Sequence, residues 1–120
     1  MADGIRPVPI HVRGGEPYAH PWYFLDADTR VPMSQAGQTV KAQIRPYRGA
    51  DELVVEFSVD LSAWVADGMA LLTLTAAQAD VVADRFDLEN RGVMDVQVTT
   101  GGIPYTYMTA DVTAEPDVTR

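Results

Sequence analysis

Apolar and polar residues alternate along most of this chain, which is the period-two pattern of half-buried strands. Val8, Ile10 and Val12 alternate first, and Pro7 and Pro9 confine that run to an edge strand or an extended arm. Tyr18, His20, Trp22 and Phe24 follow, with Pro21 arguing against a central, fully paired strand. Val40, Ala42 and Ile44 form a third run, closed by Pro46. Leu53, Val55, Phe57 and Val59 form a fourth, with Glu56, Ser58 and Asp60 on the wet face. Residues 69–74, 93–98 and 103–112 supply three more. In the last, Ile103, Tyr105 and Tyr107 share one face and Met108, Ala110 and Val112 the other.

Turn residues separate the runs: Gly14-Gly15, the stretch from Asp26 to Arg30, Ala36-Gly37, Arg48-Gly49-Ala50-Asp51 and Asp67-Gly68. Gly101-Gly102 joins the last two runs as a hairpin. One segment breaks the rhythm. It is alanine-rich, from Thr75 to Asp84, and opens with Thr75 three residues before Gln78, a capping box. This predicts a helix of about two turns crossing between sheets. The pattern predicts an all-β fold, an immunoglobulin-like antiparallel β-sandwich of about seven strands with one short helix. Residues 1–14 are expected as an N-terminal arm or edge strand, 15–113 as the sandwich and 114–120 as a polar tail. Phe24, Val40, Ile44, Val55, Phe57, Leu72, Leu74, Val96, Val98 and Met108 are the expected core.

A length of 120 residues fits one domain, and a hydrophobic content of 47% excludes a disordered tail. The chain has no cysteine, which removes disulfides, zinc-thiolate sites and thiol nucleophiles. A net charge of -8 argues against binding a nucleic-acid backbone. No apolar stretch approaches a membrane span, and the N-terminal residues lack the basic start and apolar run of a secretory signal.

No constellation supports chemistry, so no catalytic residue, metal ligand or cofactor is expected. His11 and His20 show no ligand spacing with a third residue. Asp26 and Asp28 form a D-x-D pair, but Val31 and Gly37 stand where a calcium loop needs Gly and Glu. Asp84, Asp87, Glu89 and Asp95 read as solvated carboxylates. Ser34, Ser58 and Ser62 lie in no nucleophile elbow, and phosphate-binding glycine motifs are absent. Tyr23, Tyr47, Tyr105 and Tyr107 are candidates for a sugar-stacking platform, though core or protein-contact roles are commoner for such residues. Trp64 reads as a core plug or an interface anchor.

The order of motifs resembles small virion proteins of tailed phages. The first piece is IHVRGGEPYAHPWYFLDADTRVPMSQAGQTVKAQIRP: an arginine-glycine turn, an aromatic strand, an acidic loop and a V-K-A-Q-I-R strand. The second, GMALLTLTAAQADVV, is a strand followed by a T-A-A-Q helix. The third, GVMDVQVTTGGIPYTYMTADVTAEPDVTR, is a strand, a glycine hairpin and a closing strand. Together they span roughly residues 10–120. The resemblance is to β-sandwich domains of actinobacterial-phage long-tail-fibre and minor head proteins, and to the N-terminal domains of lactococcal-phage upper baseplate proteins. Two departures are Asp28-Thr29 in place of a D-G turn and an insertion at residues 84–91.

The resemblance implies a non-enzymatic virion structural protein, made in the host cytoplasm and carried on the particle. A capsid decoration or minor head protein is the leading expectation, since the sequence ends without a shaft or receptor-binding head. A tail, baseplate or tail-fibre adaptor is the alternative, and a carbohydrate-binding module for host cell-surface glycan the alternative of another class. The expected partners are other virion proteins, the major capsid protein or tail and baseplate proteins, with oligomerisation on the particle left open and no nucleic acid or membrane. Val8, Ile10, Val12, Trp64, Tyr105 and Tyr107 are the expected partner contacts. The N-terminal run is expected to add to a neighbour's sheet edge.

Overall fold

A computed structural model describes residues 9–26 and 28–116. The strands are β1 (Ile10–Arg13), β2 (Tyr18–Tyr23), β3 (Thr39–Arg45), β4 (Val55–Glu56), β5 (Ser58–Asp60), β6 (Met69–Leu74), β7 (Gly92–Thr100) and β8 (Ile103–Glu115). Two helices interrupt them, α1 (Trp64–Asp67) and α2 (Ala76–Arg85). One sheet has the order β1-β8-β7-β3-β4 and the other β2-β6-β5. The two pack face to face over an apolar core, as a β-sandwich does. All ten expected core residues are buried, eight on the inward faces of their strands and Phe24 and Phe57 just past the ends of β2 and β4.

The fourth apolar run is two strands. Val55 and Glu56 pair with β3, whereas Ser58, Val59 and Asp60 pair with β6 in the other sheet. Phe57 sits at the crossover: its N–H still donates to Ala42 O at 2.9 Å, and its ring is buried. One continuous period-two run thus serves both sheets, which makes eight strands among the described residues, against about seven expected.

The first run corrects the expectation of an attachment arm. β1 pairs parallel to β8, with Ile10 opposite Val112 and Arg13 opposite Glu115. Ile10 and Val12 are fully buried in the chain's own core, where β1 also meets α2. Their alternation therefore reflects packing within this domain, so neither is a partner contact. Val8 lies outside the described residues. The parallel β1–β8 pair is the exception in an otherwise antiparallel set. The sandwich also reaches past residue 113, since Ala114 is fully buried and Glu115 closes β8.

Helix α2 forms where the capping box predicts it. Thr75 Oγ1 accepts from Gln78 N–H at 3.1 Å, and Gln78 Oε1 accepts from Thr75 N–H at 2.9 Å. Ala79 and Val82 face the core, and the helix carries the chain from β6 in one sheet to β7 in the other. At its exit Phe86 lies over Gly92, where a Cβ would overlap the ring. The β7–β8 hairpin turns on Gly101 and Gly102, with φ of 59° and 81°, the signs a type I′ turn demands. Farther along, the register slips by one between Val96 and Gln97, so Tyr107 is an extra residue in β8. That bulge switches the inward set of β8 from odd to even positions, which accounts for the change of face after Tyr107.

Candidate functional site

Three of the expected partner contacts meet in one aromatic row. Trp64, first residue of α1, is buried and stacks on Phe24 at 5.8 Å between ring centroids and on Trp22 at 6.0 Å. Its Nε1–H donates to Gln38 Oε1 at 3.2 Å, and its carbonyl accepts from Ser34 Oγ. Tyr107 meets Phe24 edge-on at 4.9 Å, and Tyr105 follows at 6.2 Å from Tyr107. The row runs from the core interior to the hairpin end of the sandwich. Trp64 is the core plug of the two readings open for it, because its ring is enclosed by aromatic faces and its one donor is satisfied. Tyr107 is half-buried, and Tyr105 is 48% exposed. Ile10 lies at the other end of β8, about 24 Å along the strand from Tyr105.

The tyrosines do not build a flat platform. Tyr105 and Tyr107 are tilted by 60° to one another. Tyr23 is on the outer face of the small sheet, and Tyr47 follows β3 in an exposed loop. A pyranose ring stacks on a flat aromatic face, and these four rings offer no shared one.

The carboxylates are engaged in holding loops. Asp26 Oδ1 accepts from the N–H groups of Asp28 and Thr29, Asp60 from Ser62, and Asp87 from Glu89 and Asn90. These hydrogen bonds stabilise the ionised form and hold all three below the usual carboxylate range. Glu115 is held down by Arg13, 2.7 Å away, and then by His11, which also contacts Thr113. This group ties β1 to β8 across the outer surface of the large sheet. Burial lowers the pKa of His20, whose ring stacks on Tyr18. No group of three His, Asp or Glu side chains able to hold a metal occurs among the described residues. No helix among them is long and apolar enough to cross a membrane.

The two outer faces of the sandwich differ sharply. Register places Arg13, Lys41, Arg45, Glu56, Asp95, Asp111 and Glu115 on the outside of the large sheet. On the small sheet the outward set is Ala19, Pro21, Tyr23, Met69, Leu71, Thr73, Ser58 and Asp60, with one charge. Ala66 and Asp67 of α1 and Arg30 and Pro32 of the loop after β2 border it. A shallow depression of about 420 Å³ lies where they meet, lined by Tyr23, Leu25, Arg30, Pro32, Ala66, Asp67 and Met69.

Gly68 shapes that border. It ends α1 with φ 69°, and a Cβ there would stand 3.0 Å from both Phe24 O and Pro32 Cβ. Arg30, at φ 61°, takes a left-handed conformation uncommon for a non-glycine residue, and its N–H donates to Asp26 O. The expected partner contacts omit this face. Its sequence signal is the four consecutive apolar residues that open β6, Met-Ala-Leu-Leu, in place of alternation. Such a run marks a strand with apolar residues on both faces.

No family model matches this chain, and no curated protein matches it. Among solved structures it is similar to a marsupial T cell receptor, at 11% identity and a TM-score of 0.52. The match covers 96% of this chain and 52% of the receptor chain, so the chain spans about half of that protein's length. The fold is an immunoglobulin-like β-sandwich. At this identity the likeness concerns the fold alone.

Proposed function

We propose that this chain is a non-enzymatic structural component of a phage particle, held among other virion proteins through its surface. A capsid decoration or minor head protein is the preferred role. The ordered motifs from residue 10 onward suggest the virion setting. The observation that carries an assembly role is the contrast between the two outer faces, one charged and one apolar with a single charge. Charge-poor apolar patches bordered by polar residues characterise protein–protein contacts. The carboxylates support the non-enzymatic side of this reading, since those with shifted pKa values are engaged in turns and ion pairs.

Quantitative mass spectrometry of purified particles tests the proposal. A fixed stoichiometry of tens to hundreds of copies per particle is expected for a head lattice. A count of a few to a few tens would move the chain to the baseplate or tail fibre. Absence from washed particles, together with binding to isolated cell-wall glycan, would overturn the structural role.

A further inference from the structure

We draw no further inference here: the strongest candidate, the apolar outer face of the β2-β6-β5 sheet with the shallow depression at its Met69 end lined by Arg30 and Asp67, is an unpartnered surface, and nothing in the structure shows what covers it.

Discussion

Replacing Ile10 by Ala decides whether the first strand belongs to the domain or to a neighbour. Ile10 is fully buried, opposite Val112 across the parallel pair. The substitution removes three carbons, which at about 0.8 kcal/mol each is about 2.4 kcal/mol of lost transfer energy. A residual cavity raises this, and Ile→Ala changes in cores cost about 2–5 kcal/mol. A four-residue edge strand can close part of the gap, so about 3 kcal/mol is the expected loss. Trp22 and Trp64 are both buried in the aromatic row, so tryptophan emission reports unfolding. Urea melts of the parent and Ile10→Ala should differ in midpoint and share one slope. His11→Ala, on the outer surface of the same strand, should cost under about 1 kcal/mol. A loss below about 0.5 kcal/mol for Ile10→Ala would refute the packing argument and restore the picture of an arm that binds elsewhere.

Gly92→Ala should cost about 1–3 kcal/mol by urea melting, because the new methyl meets the Phe86 ring at overlapping distance. The double change Gly92→Ala with Phe86→Leu should recover part of it. Thr75→Ala removes the side-chain half of the capping box and should cost about 1 kcal/mol, whereas Thr75→Ser should be nearly neutral. Stability should fall in two steps as pH drops, read from the urea midpoint. His20 has its pKa lowered by burial, so the unfolded chain takes up that proton first and stability declines below about pH 6.5. Asp26, Asp60, Asp87 and Glu115 also have lowered pKa values, so their contribution is complete above about pH 4.5 and is lost as pH falls through the folded values. His20→Gln should remove the upper step alone, and a stability maximum near pH 5 in the parent would contradict the His20 assignment.

Local chemistry was legible in the sequence. The Thr75–Gln78 box, the Gly101-Gly102 turn and the buried side of each strand are set by residues close together in the chain. Pairing was harder, because alternation says which residues share a face and not which sheet owns the face. Phe57 shows this: its neighbours on either side alternate without a break, yet they belong to different sheets. The parallel pairing of Ile10 with Val112 joins residues about a hundred positions apart, and nothing near Ile10 announces it. Trp64 also lacks a local signal, since Ala63 caps α1 without a side-chain hydrogen bond. The outer face of the small sheet did leave a trace. Met69 and Leu71 break the alternation that a solvent-facing strand would show.

The edges of the sandwich explain why its faces matter more. Phe24 N–H donates to Gly68 O at 2.8 Å, so Trp22, His20 and Tyr18 turn their backbone groups toward β6 in the same ladder. Pro21, out of step with them, places its missing N–H on the side away from β6. Pro104 does the same for β8, one residue past the hairpin pair of Thr100 and Ile103. The other sheet margins are β1, preceded by Pro9, and the very short β4 and β5. Prolines and short strands at an edge discourage pairing with another chain. Strand addition, the mode the alternating N-terminal run suggests, is therefore poorly served by this domain's margins. On the proposed assembly role the two outer faces are left to use, and the large sheet's is covered with charge. The small sheet presents Pro21, Tyr23, Met69 and Leu71 on an almost uncharged surface, and desolvating those side chains is favourable where desolvating Lys41 or Asp95 is not.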